Sequence, residues 1–563
     1  MTVNISSVPE PTSLVLLGLG LAGIGFSRKQ KTSQVTFSQE NVIIIGAGIS
    51  GVAAGKTLQE SGYEVVILEA KNRVGGRIWT DRSTGKALDL SASWIHAIIG
   101  NPITELANKI KAPLTGLVDY NDTSTFDADG KEDPLTPAQE KNFDDVLAQF
   151  SKIVTASNAN ASVQDVVDEA VRQGPLNNLG TRALNSLINT TLEHEYAGDA
   201  SELSWIGTEE GTHPVGGDVL FPDGFDAITN FLATGLNIQT KTIVQSVTYD
   251  ANGVTIATNK GNHSGDRVIV TVPLGVLKSG DIVFNPALPS DKLNSISALG
   301  PGVLNKVWLE FSSVFWDNTT MHNFFSMPKG HFNEWLNWHK ATGNNHLLGF
   351  NAGAYGLEIE SMSDDDIVAE AMTVLRAMWG TDIPEPTNRI ITRWNSDPFA
   401  RGAYSFIKVG STIDDRATLA KAVPDRVFFA GEATSTENAA TTNGAYETGL
   451  REAQKISVLA PVTVDNSGTF NISTNELVMP RLKAVDTFYK LTLVLTDPSQ
   501  LLFQVTGADL LQGTGFTAAA FNTATSSLIL PVVKVADAKY YLEMTIVANS
   551  NPIQPRLSKA VLL

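Results

Sequence analysis

Apolar positions divide this chain into short strand-like runs and longer helix-like stretches. Asn41–Ile45 and Glu64–Leu68 are apolar runs at strand length, and a helix-like stretch from Ile49 to Gln59 separates them. Residues 134–195 are polar and helix-like, with spaced apolar positions in Phe143–Val154 and Val163–Val171. Residues 238–273 predict several short strands, drawn as Asn237–Tyr249, Gly253–Thr258 and Asp266–Val272. A strand over Arg426–Ala430 leads into a helix over Gly444–Ile456. From Val35 to about Leu459 the pattern therefore predicts one α/β unit carrying inserted segments.

Both ends depart from that pattern. The last hundred residues turn Thr/Val/Leu-rich and repeat themselves at a constant offset. Phe470-Asn471 returns as Phe521-Asn522, Leu477 with Pro480 as Leu528 with Pro531, and Tyr489 with Leu491 as Tyr540 with Leu542. Two copies of a strand-rich unit predict an all-β sandwich or barrel built from two halves. At the other end, Val8-Pro9-Glu10-Pro11 precedes an apolar, Gly-rich run from Leu14 to Phe26, closed by Arg28, Lys29 and Lys31. That run is shorter than the roughly 20 residues of a spanning helix, and no positive n-region precedes it as in a secretory signal.

At 563 residues the chain exceeds what one hydrophobic core organises. A formal charge of −18 argues against nucleic-acid partners, which need clustered Lys and Arg. The same charge is compatible with cationic substrates, although plain solubility is its stronger reading. Without a single cysteine, disulfides, thiolate catalysis, thiolate metal sites and thioether-linked flavin are excluded. The histidines show no metal-ligand spacing, so no metal site is expected. No Gly-x-Ser-x-Gly elbow is present.

Gly-x-Gly-x-x-Gly occurs twice. Gly18, Gly20 and Gly23 lie in the apolar run with no strand before them, a decoy. Gly46, Gly48 and Gly51 follow the strand Asn41–Ile45 and open a helix, and Glu69 closes the next strand about 20 residues on. Such a turn suits a pyrophosphate at a helix N-terminus and a ribose hydroxyl on Glu69. Past Glu69 runs Ala70-Lys71-Asn72-Arg73-Val74-Gly75-Gly76-Arg77, whose two arginines suit a diphosphate. That extension resembles FAD-binding oxidases rather than nicotinamide dehydrogenases.

Several further motifs, in order, make residues 40 to 459 similar to the flavin amine oxidase family, which includes monoamine oxidases, polyamine oxidases and lysine-specific histone demethylases. Val427–Thr434 with Thr441–Gly449 matches the family's second flavin-binding stretch. The resemblance implies FAD contacts at Gly46, Gly48, Gly51, Glu69, Ala70, Arg73, Gly75, Gly76, Arg77, Ser93, Trp94, Val244, Trp394, Gly431, Glu432 and Thr442. It places Lys306, within Val303–Trp308, on the lysine that holds a water against flavin N5. His96, after Trp94-Ile95, falls on a position lining the substrate tunnel in animal-type polyamine oxidases. Tyr404 and Tyr446 fall on the aromatic pair that sandwiches the amine. Ala403 stands where monoamine oxidases carry the flavin-linking cysteine, which implies noncovalent FAD. Glu195-Tyr196-Ala197 and Gly216-Gly217-Asp218 resemble linking motifs of the family.

The implied fold is a two-domain α/β (α+β) FAD-dependent amine oxidase. A Rossmann-type FAD domain comes from 35–120, 216–285 and 406–459. A mixed sheet and helical substrate domain comes from 121–215 and 286–405. A C-terminal all-β repeat domain spans 460–563. The implied reaction is hydride transfer from an amine carbon to flavin N5, with O2 giving H2O2, and polyamines such as spermidine are the first substrate. The alternatives are an L-amino-acid oxidase of the same fold, using Arg393 or Arg401 for a carboxylate, and an envelope-associated protein that holds FAD without catalysis. Residues 1–34 resemble the PEP-CTERM sorting tail of bacterial exported proteins, displaced to the N-terminus. They are either a weak membrane or envelope anchor (residues 8–31) or a start-site or gene-fusion artefact. The compartment, cytoplasmic or envelope-associated, stays open, as does the oligomeric state.

Overall fold

The computed structural model describes residues 40–156, 160–208 and 215–459, and as backbone alone the strands between 468 and 562. Residues 1–39 lie outside the described part, so the expectations for the N-terminal segment do too.

Strand-length apolar runs become the middle of a five-stranded parallel sheet. Its order is Val427–Phe429, Arg267–Val270, Asn41–Ile45, Glu64–Leu68, Asn237–Gln239. The side-chain period of two sends Val42 and Ile44 to one face, and Ile43 and Ile45 to the other. On the first face lie helix α1 (Ile49–Glu60) and helix α2 (Thr442–Leu459), packed with Val65, Ile67, Ile269 and Phe428. On the second face a four-stranded sheet, order Gly261–Gly265, Gly253–Thr258, Val244–Asp250, Val283–Asn285, contributes Val247, Val254 and Ile256. Each of these fully buried aliphatic side chains contributes about 1.5–3 kcal/mol.

One expected strand divides. Asn237–Tyr249 becomes Asn237–Gln239 in the parallel sheet and Val244–Asp250 in the antiparallel one. Between them Lys241 takes a positive φ of 53°, and its N–H donates to the Lys71 carbonyl at 2.8 Å. The chain turns a corner there, which an unbroken apolar pattern does not reveal.

The substrate half is a six-stranded mixed sheet, order Asn388–Ile391, Leu304–Glu310, His346–Ala352, Glu334–Asn337, Met321–Phe324, Thr123–Phe126. Helices Pro137–Ala156, Val163–Gln173 and Asn178–Ile188 form a cluster of their own around Val163, Val166 and Leu184. The third runs on through a π-turn, Asn189–Glu193, into the short helix His194–Tyr196. Beyond residue 468, backbone strands Gly468–Asn471, Glu476–Ala484, Thr487–Asp497 and Leu502–Leu511 are followed at the 51-residue offset of the sequence repeat by Ala520–Asn522, Ser527–Val535, Ala538–Ile546 and Pro555–Leu562.

α1 and α2 approach so closely that a Cβ on Gly449 would stand 2.2 Å from the Ser50 carbonyl oxygen. Backbone cannot yield as a flexible side chain does. Gly449→Ala should therefore lower stability by about 1–3 kcal/mol, read as a fall in the thermal unfolding midpoint; an unchanged midpoint contradicts this packing.

Candidate active site

A cleft opens at the C-terminal ends of the parallel strands, where ligands bind in open α/β sheets. Gly46, Gly48, Glu69, Ala70, Gly76, Arg77 and Val244 line it. Gly51 is required at the first turn, since a Cβ there would lie 2.0 Å from the Gly46 carbonyl oxygen. Over Gly48 a Cβ would meet nothing within 4 Å, so the backbone faces open space. No side chain caps α1 at Gly48, and the buried Ser50 hydroxyl has no partner. An uncapped helix N-terminus whose Gly48 backbone faces open space fits a phosphate oxygen.

The carboxylate at the ribose position is built for that task. Glu69 is buried and accepts from the N–H groups of Ala47 and Lys71, both at 2.7 Å. Burial raises its pKa against the pull of those two donors. Arg77 donates to the Ala403 carbonyl at 2.8 Å and to Glu432 at 2.9 Å, joining three distant segments. Glu432 also takes the Ser405 hydroxyl at 2.6 Å. Burial works to raise its pKa, but the Arg77 and Arg416 guanidinium groups hold it below the usual carboxylate range. Arg73 behaves differently from its expected place on the diphosphate. Its guanidinium donates to the carbonyls of Val74, Gly76 and Ile78 and lies over the Trp79 ring, so it braces the loop instead. Gly75 and Gly431 take positive φ at the turns, Trp394 is buried with its indole N–H on the Leu90 carbonyl at 3.2 Å, and Thr442 opens α2.

Lys306 is 1% exposed, on the strand Leu304–Glu310. Its Nζ reaches the carbonyls of Asp89 at 3.1 Å and Ser91 at 2.5 Å, and the Ser93 hydroxyl at 2.5 Å. Trp94 lies beneath it, with Nζ 5.1 Å from the ring centroid. Burial lowers the Lys306 pKa to about 7, opposed by the charge of Asp89. Asp89 is itself buried, accepting from the Thr80 hydroxyl at 2.6 Å and the Phe225 N–H at 3.1 Å, and burial pushes its pKa up to about 7.

From Trp94 a run of ring contacts leads away from Lys306. Trp94 stacks on His96 at 6.1 Å and tilts against Phe350 at 5.8 Å, and Phe350 meets His194 at 6.0 Å. The Tyr404 hydroxyl donates to the His194 carbonyl. Carboxylates stand around these rings. Asp218 accepts from His96 Nδ1 at 2.8 Å, the Ala97 N–H at 2.9 Å and the Tyr120 hydroxyl at 2.9 Å. Glu334 meets His194 Nδ1 at 2.6 Å, and the charges of Glu195 and Glu334 both act on Tyr404 and Tyr120.

Residues 49–457 match the family described as flavin containing amine oxidoreductase. The chain belongs to that family. Polyamine oxidase 4 of Oryza sativa subsp. japonica is 35% identical over 434 residues, covering 74% of this chain and 88% of the relative. A lysine-specific histone demethylase 1 homolog of Arabidopsis thaliana is 33% identical over 439 residues, covering 74% of this chain but 58% of the relative. A putrescine oxidase structure bound to putrescine shares the fold at a TM-score of 0.61 and 19% identity, covering 74% of this chain and 99% of that one. Residues 7–29 separately match the PEP-CTERM protein-sorting motif. This amine oxidoreductase therefore takes FAD, and with alanine at 403 the flavin is held noncovalently.

Within the flavin amine oxidase frame, one expected pairing fails. Tyr446 packs with the core of α1, α2 and the parallel sheet, and the charges of Glu105 and Glu60 raise its hydroxyl pKa after burial does. Tyr404 belongs to the other cluster, with Trp94, Trp394 and Phe350. The two tyrosines do not form one slot. The aromatic walls beside Tyr404 are Trp94 and Phe350. The two arginines that an amino-acid carboxylate would need are also engaged: Arg393 pairs with Asp364 at 2.7 Å and Arg401 with Asp281 at 2.6 Å. Sequence reasoning missed Asp89, Tyr120, His194, Glu334 and Phe350. It saw Glu195 and Asp218 only as linking motifs. Glu334 opens the strand Glu334–Asn337, where no local pattern in the sequence marks it.

His96 carries a charge-dependent test. Burial lowers its pKa, but the hydrogen bond and charge of Asp218 outweigh this and leave it above the ordinary value. The His96 side chain is 53% exposed, so in Asp218→Asn the stabilisation of the imidazolium goes and little burial opposes it. The His96 Cε1–H titration followed by NMR should then fall from above the ordinary histidine value towards it; a midpoint that stays put refutes the assignment.

Proposed function

We propose that this flavin amine oxidoreductase oxidises polyamines such as spermidine and spermine. A secondary amine R–CH2–NH–R′ loses a hydride from carbon and a proton from nitrogen; water hydrolyses the imine to an aldehyde and a shorter amine. Bound FAD supplies the two-electron acceptor and passes the electrons to O2, which leaves as H2O2. The observation that carries the substrate class is the group of three carboxylates, Asp218, Glu195 and Glu334, beside the Trp94, Phe350 and Tyr404 rings. A polyamine keeps several ammonium groups at neutral pH, and each needs an anionic or π-face partner when it leaves water. The rings exclude water from the reacting carbon.

Lys306 Nζ donates to two carbonyls and to the Ser93 hydroxyl, which fixes it at a set place beside Trp94. His96, turned by Asp218, accepts from a substrate nitrogen when neutral and repels it when protonated. The amino-acid oxidase reading loses ground because Arg393 and Arg401 are already paired. We also infer an accessory role for the repeated strands after residue 468, and an envelope-anchoring role for residues 8–31, the latter supported by the sorting-motif match.

The test is the visible spectrum of the FAD-loaded protein. Spermidine added without oxygen should bleach the flavin, and air should restore it. Lys306→Met should slow the flavin turnover by about a hundredfold or more, and Glu334→Gln should raise KM about tenfold, as loss of one charged hydrogen bond does. If spermine, spermidine and simple amines all leave bound flavin unbleached, the polyamine reading is wrong.

A further inference from the structure

The loop after the strand Asn388–Ile391 touches the dinucleotide cleft from the opposite wall. Pro398, Phe399 and Ala400 line the same space as Gly48, Glu69 and Val244. This loop is rooted in the substrate half, where Glu360 accepts from the Asn395 N–H at 2.8 Å, the Ser396 N–H at 2.7 Å and the Ser396 hydroxyl at 2.6 Å. Its centre is shaped by Asp397. One carboxylate oxygen accepts from the Phe399 N–H at 2.9 Å, and the carbonyl accepts from the Arg401 N–H at 2.8 Å. The other carboxylate oxygen pairs with Lys71, across the cleft. Lys71 stands two residues past Glu69 and donates its own N–H to that carboxylate. At the far end of the loop Arg401 pairs with Asp281, which also lines the cleft.

We propose that residues 395–401 are a strap that retains the noncovalently bound FAD, latched across the cleft by the Lys71–Asp397 ion pair. The proposal rests on FAD occupying this cleft. A chain with alanine at 403 has no thioether to hold its flavin, so retention depends on how often the walls part. The two pairs differ in weight. Side-chain exposure is 14% for Lys71 and 21% for Asp397, against 39% for Arg401 and 55% for Asp281. Solvent and salt screen the outer pair, which adds little, whereas parting the inner pair strands a half-buried charge on each wall. The inner pair is the latch.

Release of FAD tests this without any amine. The holoenzyme is diluted into an excess of an apoflavoprotein trap, and FAD transfer is followed by fluorescence. Asp397→Asn keeps the acceptor for the Phe399 N–H but loses the charge; Lys71→Met removes the same pair from the other wall. Each should speed release about ten- to a hundredfold, equivalent to about 1.4–2.8 kcal/mol. Arg401→Ala should change release by less than about threefold. Release within about twofold of wild type in both single variants overturns the strap. A wild-type protein that takes up no FAD overturns the cofactor assignment itself, and the strap with it.

Discussion

An amine in a fully buried strand must find partners for every N–H, and in this protein one short turn supplies them all. Asp89, Ser91 and Ser93 wrap the Nζ of Lys306, two through carbonyls and one through a hydroxyl. The turn belongs to the chain that leaves the dinucleotide unit; the lysine belongs to the substrate sheet. The bonds therefore register one half against the other. Asp89 extends the tie, since its side chain is held by Thr80 and the Phe225 N–H while its carbonyl also accepts from the Trp308 indole at 3.3 Å. Desolvating a lysine is costly, and the structure meets that cost by giving the Nζ three acceptors, while burial lowers its pKa against the pull of Asp89.

The same logic of stitching remote segments recurs at Arg77. Its guanidinium spans from the first flavin-binding turn to the Ala403 carbonyl and to Glu432 of the second. Glu432 in turn holds Ser405, the neighbour of Tyr404. The position of Ser405, next to Tyr404, is thus set by the same carboxylate that takes Arg77 of the dinucleotide turn.

Most of the α/β frame was legible because its signals are local. Three glycines after an apolar strand, a carboxylate closing the next strand and an arginine pair beyond it each have a steric or electrostatic reason within a few residues. Lysine in an apolar strand was legible by its cost. The error at Tyr446 was equally avoidable. Tyr446, Ala453 and Ile456 stand seven and ten residues apart on one helix, which puts all three on one face, and that face is core. A motif match had outweighed the helical period. Asn237–Tyr249 split for a reason the pattern does not contain: a left-handed residue at Lys241 costs little and leaves no apolar trace. His194 and Glu334 meet only in three dimensions, 140 residues apart, so no window of sequence could pair them.

Under the polyamine reading proposed above, the polarity of this ring and carboxylate cluster would bear on substrate size. At one end stand Lys306, poised towards its free base, and the Trp94 and Phe350 rings, a place where a carbon next to a neutral nitrogen can sit dry. Towards the other stand Asp218 and Glu334, each hydrogen-bonded to a histidine ring, and exposed Glu195. A monoamine would have to choose between the two environments, since its only nitrogen must be neutral to react and charged to be drawn in. A molecule with several nitrogens satisfies both at once, one neutral and one protonated, and the distance between them selects which carbon faces the flavin. On that reading, charge separation along the cluster would do for orientation what a shape-matched pocket does elsewhere, without a close steric fit along the linker.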